Sequence, residues 1–567
     1  MDAQQFLAEF RHIANAPGGV ARLRELVLQL TIQGKLIVPS ESAETSSALL
    51  SQVRRIKSQL VAEKKLPREK PFPKVFHREV AADSPRHWRW AHFGELWQLL
   101  SGRDLEPNQY NVTRNGIPYI TGASNIEFGV INVNRWTPEP VVISVDGDLL
   151  ITCKGTIGKT AFNRIGDVHI ARQIMAIRNF SGMLDSRFLK IWLDGFVGQL
   201  VKKSKSMIPG FSRDDLILAI YPVLPLKEQS RIVAKVDELM ALCDQLEAQQ
   251  QDRRKLQNAL RQSTLQALAG AQSPHELQDS WQRLKANFGC FFSEPEDVRE
   301  LRLVVMELAI RGLLTEQLIS DGDAAELVFA APAAASSTRG RKRSAFFKEE
   351  ISESDLPFAL PKNWRWARLA DIGYFLGGGT PSKSNPDYWQ GPIPWVSPKD
   401  MKVARINSSQ DHISEKALSE SAAKLIPAGS LLVVVRGMIL AHSFPVGLTS
   451  REVAINQDMK ALCPHRSDMG EFLLLLLAGS KKRFLELVER STHGTCRLET
   501  DRFASCVIGI PPLTEQLRIV ESVNQLMLVC DALQSQLNEM RKCLATLAIT
   551  SVANLTGITI EQEQDAL

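Results

Sequence analysis

Long apolar runs are missing from this chain. The longest, Phe472 to Ala478, falls far short of the roughly 20 residues that cross a bilayer, which excludes a helical membrane span. Paired cysteines are missing too: the 8 present show no C-x-x-C spacing, and the opening MDAQQFLAEF has no basic-then-apolar leader, so a reducing, cytoplasmic setting is expected. No H-E-x-x-H, tight His/Cys cluster or G-x-S-x-G occurs, so neither a metal site nor a nucleophile elbow is predicted. His169, His442 and His493 stand apart and read as surface or core histidines. Charge of one sign is also scarce: 68 basic against 63 acidic residues leave +5 and a pI near 8.7, below that of a dedicated basic domain. Any surface for a polyanion must then be local.

What is present is repetition. The 567 residues are too many for one core and imply about three or four units. PLKEQSRIVAKVDELMALCDQLEAQ, from Pro225, returns from Pro512 as PLTEQLRIVESVNQLMLVCDALQSQ, with roughly half the positions identical. PRHWRW, ending at Trp90, returns as PKNWRW, ending at Trp366, and GIPYITG from Gly116 lines up with PIPWVSP from Pro392. A third echo joins LRELVLQLTIQGKL, from Leu23, to LRLVVMELAIRGLL, from Leu301. Each copy therefore runs short helix, linker, Trp-led block, P-L-x-E-Q and long helix. Between these anchors the blocks diverge, so the frame is held while block content varies. The expected divisions are an N-terminal helical arm and linker (1–84), a first block (85–223), a repeat helix (224–272), a central helical region with a basic linker (273–360), a second block (361–510), a second repeat helix (511–550) and a tail (551–567).

After Pro225, Ile232, Val236, Leu239, Cys243 and Leu246 alternate in spacings of four and three, the signature of one apolar helical seam. In the second copy Ile519, Val523, Leu526, Cys530, Leu533, Leu537, Met540, Leu544 and Leu547 carry the seam further, enough to pair with another long helix, whereas the first copy meets Gln250 and Arg253 and should fade or change face. Trp88 and Trp90, like Trp364 and Trp366, are two apart and share a face on a strand. GDLLITC from Gly147 and GSLLVVVRG from Gly429 read as buried, glycine-bounded strands, so the blocks are mixed α and β. AAPAAASSTRGRKRS, from Ala330, reads as an exposed linker whose Arg339, Arg341, Lys342 and Arg343 could meet DNA or simply be solvated.

Three patterns imitate catalytic motifs. GTIGKT, Gly155 to Thr160, lacks the first glycine of a phosphate loop, where Cys153 stands, and reads as a tight turn exposing Lys154 and Lys159. Phe375 to Gly379 matches the F-x-G-x-G loop of S-adenosylmethionine-dependent DNA methyltransferases, and Asn385-Pro386-Asp387-Tyr388 imitates their N-P-P-Y, but the two lie too close together for different strand ends. This supports the alternative of a combined DNA-recognising adenine methyltransferase, set against a plain glycine turn. Pro386-Asp387 with Asp400-Met401-Lys402 imitates a PD-(D/E)xK nuclease site, a degenerate pattern that arises by chance in a chain of this length.

The duplicated chain, with PLKEQSRIV and PLTEQLRIV opening its long helices, LVLQLTIQGKL and VVMELAIRGLL in its short ones, LPFALPKNWRWARLADIG from Leu356 and GDLLITCKGTIGKTAF within the first block, resembles the specificity subunits of type I DNA restriction-modification enzymes. The likeness runs from about Arg22 to about Thr550, though KVFHREVAADSPRHWRW departs from the usual approach to the first block. It implies an α+β, tandem-duplicated architecture: two mixed α/β target recognition domains separated by two long antiparallel conserved helices. It further implies a non-catalytic, DNA-binding protein in which each domain reads one half of a split, asymmetric double-stranded site. The helices would bind two methyltransferase subunits, and restriction/translocase subunits would join them, with no membrane partner. No cofactor is expected on this chain; S-adenosylmethionine, ATP and Mg would sit on the partners.

Candidate DNA contacts follow from charge and loop position. In the first block they are Lys154, Lys159, Arg172, Gln173 and the cluster Lys202, Lys203, Lys205 beside Pro209-Gly210. In the second they are Lys383, Asn385, Arg436, Gln457, Arg497, Arg502 and the cluster Lys481, Lys482, Arg483, which holds a comparable place ahead of the repeat helix.

Overall fold

The computed structural model describes residues 10, 13–38, 45–76, 84–203, 210–271, 273–328, 351, 356–490 and 496–556. The basic linker, Lys205 and His493 lie outside the described residues. The chain divides into two compact units, residues 1–253 with 541–567, and residues 254–540.

In the first unit, α1 (Gly19–Ile32) and α2 (Ser46–Ala62) precede the block; the Thr45 hydroxyl starts α2 by accepting from the Ala48 N–H. The block runs β1 (Arg89–His92), β2 (Gln98–Ser101), β3 (Ile117–Ile120), β4 (Trp136–Thr137), β5 (Ile143–Ser144), β6 (Leu149–Thr152), β7 (Thr160–Phe162), β8 (Val168–Ile170), β9 (Ile174–Arg178), α3 (Ser186–Lys203) and β10 (Ile220–Val223). Two four-stranded sheets result, ordered β4-β3-β8-β5 and β2-β9-β6-β7, while β1 pairs antiparallel with β10, Arg89 opposite Val223. All four residues of β6 are buried, which is why Leu149, Leu150 and Ile151 read as a continuous apolar run. The Trp88 and Trp90 rings are neighbours, tilted at 54° with centroids 6.1 Å apart, as the shared-face spacing implies.

α4 (Leu226–Gly270) leaves this block, and α5 (Pro274–Ala286) and α6 (Val298–Ile310) follow. The second block runs β11 (Arg365–Arg368), β12 (Gly373–Gly377), β13 (Ile393–Val396), β14 (Arg405–Ile406), β15 (Asp411–Ile413), β16 (Leu425–Ile426), β17 (Leu431–Val434), β18 (Val446–Thr449), β19 (Val453–Ile455), β20 (Met459–Pro464), α7 (Gly470–Gly479) and β21 (Val507–Ile510). Its sheets are ordered β15-β13-β19-β16 and β12-β20-β17-β18-β14, and β11 pairs with β21, Arg365 opposite Ile510. Both four-stranded sheets of the first block recur here, with β14 added at one edge; the first block also carries a short pair, Ile126–Glu127 with Val130–Ile131, and the second a pair of Val488–Arg490 with Cys496–Leu498. The first block's parallel pair is repeated, β3 with β8 (Tyr119 opposite His169) and β13 with β19 (Trp395 opposite Ala454), and β14 adds a second in the second block by pairing parallel with β18.

The three sequence echoes meet in one joint, made twice. Gly34, at φ +69°, ends the short helix in a conformation that favours glycine, and a Cβ there would lie 2.5 Å from Pro85 and 3.0 Å from the Trp88 ring. Gly312, at φ +71°, meets Pro361 and Trp364 in the same way, at 2.6 and 2.9 Å. The indole N–H of Trp88 donates to Glu228 at 3.1 Å and that of Trp364 to Glu515 at 3.0 Å. These are the glutamates of P-L-x-E-Q, and both are buried. The neighbouring glutamines donate to backbone carbonyls, Gln229 to Leu224 at 2.8 Å and Gln516 to Pro511 at 2.9 Å. Helix contacts repeat as well: Gly195 of α3 sits against Leu28 and Ile32 of α1, and Gly479 of α7 against Met306 and Ile310 of α6.

Beside the second joint, Arg518 grips Asp321, Nη2 to Oδ2 at 2.7 Å, and the pair holds that carboxyl down at about 2. The Asp321 side chain is 3% exposed. Because its folded value lies below the ordinary one, the pair stabilises the second unit above pH 4 and that contribution is lost as pH falls toward 2. We expect Asp321→Asn to lower stability at pH 6 by on the order of 1 to 2 kcal/mol, discounted because Arg518 is partly exposed. Urea titrations of wild type and variant at pH 6 and pH 2 should show the gap closing at the lower pH.

α8 (Leu513–Thr556) is the second long helix. Residues 226–253 of α4 belong to the first unit and 254–270 to the second; residues 513–540 of α8 belong to the second and 541–556 to the first. Ile232, Val236, Leu239 and Cys243 are buried in the first unit's core, with Leu246 packed against it. In the second unit Ile519, Val523, Cys530 and Leu537 are buried, with Leu526 and Leu533 packed against their clusters. The seam expected to continue through Met540, Leu544 and Leu547 does not: these are 49%, 38% and 52% exposed. Ala548 and Val552 are buried instead, within the first unit's core. Consecutive steps of four from Leu533 to Leu537 and on to Arg541 rotate the buried stripe, as a stutter does, so the heptad stops predicting burial. The first copy's seam changes face as expected: Gln250 donates to the Ala14 carbonyl, and Leu265 and Leu268 are buried in the second unit.

The C-terminal part of α4 is held within the second unit by a buried ionic cluster. Asp297, 1% exposed, accepts from Arg254 at 3.0 Å, from Arg261 at 2.6 Å and from the backbone N–H groups of Ser293 and Glu294 at 3.2 and 3.0 Å.

Candidate nucleic-acid interface

The polar side chains of interest sit where strands end. In the first block the chain leaving β2 turns at Gly102, whose Cα faces the Ile170 and Ala171 carbonyls, leaving a Cβ 2.1 Å from Ala171 O. In the second, Gly378 faces the Ile455 and Asn456 carbonyls in the same way, at 2.0 Å from Ile455 O. The matching backbone bonds are Arg103 N–H to Ile170 O and Gly379 N–H to Ile455 O, both 2.9 Å. Cys153 N–H donates to Gln173 O and Val435 N–H to Asp458 O, both 2.8 Å, after β6 and β17. Isolated bridges join Lys154 to Gly210 and Arg436 to Arg497.

These bonds define equivalent positions. Arg172 corresponds to Gln457, Gln173 to Asp458, Lys154 to Arg436, Gly210 to Arg497 and Asp104 to Thr380. One backbone arrangement thus carries different side chains. Arg172, 69% exposed, is paired by Nε with Asp104 at 2.7 Å, and its own N–H donates to the same carboxylate at 3.1 Å. Gln457, also exposed, takes a hydrogen bond from the Thr380 hydroxyl. Lys154, Arg436 and Arg497 are exposed beside them.

The structure therefore brings Lys154, Arg172 and Gln173 together in one block, and Arg436, Gln457 and Arg497 in the other. Arg502 lies next to the latter group, paired with Glu489 at 2.9 Å, and Glu489 stands opposite Arg497 on a short hairpin. Other candidates are placed differently. Lys159 donates to the Ala123 and Ile126 carbonyls at 3.1 Å, so its ammonium braces a loop. The Asn385 side chain accepts from Asp387 N–H at 3.2 Å to start a 3-10 turn; Lys383 is exposed just ahead of it. Lys202 and Lys203 close α3. Lys481, Lys482 and Arg483 are not at the strand ends: they line a cavity of about 550 Å³ with α6 residues, and Arg483 donates to Val507 O at 2.6 Å. The short helical segment after α7, Lys481–Glu486, packs back on α6, which sets this cluster apart from the strand ends. Asp104, Thr380 and Asp458 were not singled out from the sequence; their position two residues past Gly102 or Gly378, or beside Gln457, is the signal that finds them.

The imitated motifs resolve into structure. Gly378 and Gly379 are packed on backbone, with a Cβ on Gly379 reaching 2.4 Å from Ala422 O, and Gly379 O accepts from the Trp395 indole at 3.0 Å. That space is filled by protein, so the methyltransferase alternative is corrected to a glycine turn. Asp400 accepts from Ser397 N–H at 2.8 Å and from Gln410 N–H at 2.9 Å, and Asp387 pairs with Lys416. Among the described residues no group of carboxylates, histidines and cysteines could hold a metal, and no helix is long and apolar enough to cross a membrane. His169 is buried, its Nδ1 accepting from the Val142 N–H at 3.2 Å and its Nε2 donating to the Arg103 carbonyl at 2.9 Å, and burial lowers its pKa.

Two blocks of one topology, carrying different polar side chains at matched strand ends, define a tandem recognition protein. Residues 361–540 match the family model of the type I restriction modification DNA specificity domain. The specificity subunit of the type I restriction enzyme EcoAI from Escherichia coli is 25% identical over 559 residues, covering 91% of this chain and 90% of the relative. That of EcoEI, also from Escherichia coli, is 23% identical over 561 residues, covering 92% of each. A crystal structure of the HsdS subunit from Thermoanaerobacter tengcongensis aligns at 19% identity with a TM-score of 0.39, covering 84% of this chain and 98% of that one, a likeness too low to fix the fold. Over most of its length the chain is thus similar to the specificity subunits of type I restriction enzymes.

Proposed function

We propose that this chain is the DNA-reading, non-catalytic subunit of a type I restriction-modification assembly, working in the cytoplasm. Each block reads one half of a split, asymmetric duplex site. The long helices set the interval between readers and dock two methyltransferase subunits, which restriction/translocase subunits join. Half-sites about one helical turn apart, roughly 34 to 36 Å, would face one side of the duplex. S-adenosylmethionine, ATP and Mg belong to the partners, and adenine methylation requires the partner to take its base out of the stack.

The observation that supports this reading best is the matched backbone with mismatched side chains: Lys154, Arg172 and Gln173 against Arg436, Gln457 and Asp458. Cations there suit phosphates, while the forked guanidinium and amide suit base edges. The test is a block exchange. Replacing residues 361–510 with the matching block of a relative, in the full assembly, should change one half of the methylated motif and leave the other unchanged. A change in both halves, or in neither, refutes the modular reading.

A further inference from the structure

The equivalence of strand ends can be carried to single residues, resting on the reading of each block as a half-site reader. Arg172 and Gln457 occupy the same position, two residues beyond the parallel strands β8 and β19. Each is exposed, and each is held by the residue two past a glycine that is itself fixed on the preceding carbonyls. In the first block Asp104 takes both the Arg172 backbone N–H, at 3.1 Å, and its Nε, at 2.7 Å. That pair engages Nε, and the two terminal nitrogens of the exposed guanidinium form a fork of donors. In the second block the Thr380 hydroxyl donates to the Gln457 Oε1, which fixes the amide with its NH2 edge defined and one oxygen lone pair remaining.

These two held groups match two different base edges. A fork of two donors complements the O6 and N7 acceptors of guanine in the major groove, and a donor beside an acceptor complements N7 and N6 of adenine. Beside each stands a cation suited to phosphate, Lys154 or Arg436, brought there by the bonds from Cys153 to Gln173 and from Val435 to Asp458. We propose that Arg172 and Gln457 are equivalent specificity-determining side chains, the first selecting guanine in one half-site and the second adenine in the other. Asp104 and Thr380 are positioning residues that hold them.

The test uses the full chain expressed with its modification partners, with methylated adenines mapped across a genome. Arg172→Gln should alter one G·C position in the half assigned to the first block by exchange, lowering discrimination there about ten- to a hundredfold, and leave the other half as a folding control. Gln457→Arg should move one A·T position of the other half toward G·C. Asp104→Asn should loosen the same base pair as Arg172→Gln and no other. Unchanged motifs with both substitutions, a uniform loss across all sequences, or a first half-site without any G·C pair would overturn the assignment while the half-site reading stands. A wild-type assembly with no split motif would overturn that reading itself.

Discussion

Trp364→Ala is expected to lower the stability of the second unit by about 3 to 5 kcal/mol, the range for emptying a large buried aromatic site. The indole is 2% exposed and touches Gly312, Phe472 and the strand β21 through Gly509. Beyond the lost volume, Glu515 loses one donor and must rely on Thr315 and Gln317, at 3.2 and 2.9 Å. Trp364→Phe keeps most of the packing but removes the N–H, so about 1 to 2 kcal/mol is expected. Because the two units need not unfold together, a single melting curve is a poor measure. Hydrogen exchange in β11, β21 and the end of α6 is the better one. Protection should fall there in the order wild type, phenylalanine, alanine, while β1 and β10 keep theirs. Equal loss in both units would show that the joints are not independent.

Asp297→Ala should be equally costly for a different reason. It removes the acceptor shared by Arg254 and Arg261 and leaves Arg261, 5% exposed, with only Glu300 and the Phe291 carbonyl. Breaking a buried ion pair from one side costs about 3 to 5 kcal/mol, since the surviving charge stays desolvated. Removing the cluster together, as Asp297→Leu with Arg261→Met and Arg254→Met, should cost much less than the single change. The measurement is hydrogen exchange across residues 254–310. A single substitution as mild as the triple one would mean that water already reaches the guanidiniums.

How much of this was legible in the sequence depends on the range of the cause. The P-L-x-E-Q motifs, the Trp pairs and the glycines after the short helices stood out as echoes because each is locally spelled. That Glu515, Trp364 and Gly312 form one joint was not legible, since they lie far apart in the chain and periodicity carries no information about such meetings. Leu149–Thr152 and Leu431–Val434 were readable as strands because burial on both faces makes them apolar apart from Thr152, whose hydroxyl donates to the Thr156 carbonyl. The sheet order was hidden: β4, β5, β14 and β16 are two residues long and leave no alternation to read. The α8 seam was read well as far as Leu537 and wrongly beyond it, because the stripe rotates where the helix passes from one unit's core to the other's. Among the candidate contacts, type and loop position pointed to Arg172 and Gln457, which lie at the matched strand ends, whereas Lys159 and Arg483 donate to backbone carbonyls, partners that no sequence displays.

Arg89 lies opposite Val223, and Arg365 opposite Ile510. Each block thus begins and finishes on neighbouring strands, like a plug with its two pins side by side. Anything that folds between such pins, longer or shorter, leaves the socket undisturbed, which is how one copy tolerates an extra edge strand that the other lacks. Evolution can then trade whole readers, or lengthen a loop within one, without renegotiating the rest of the molecule.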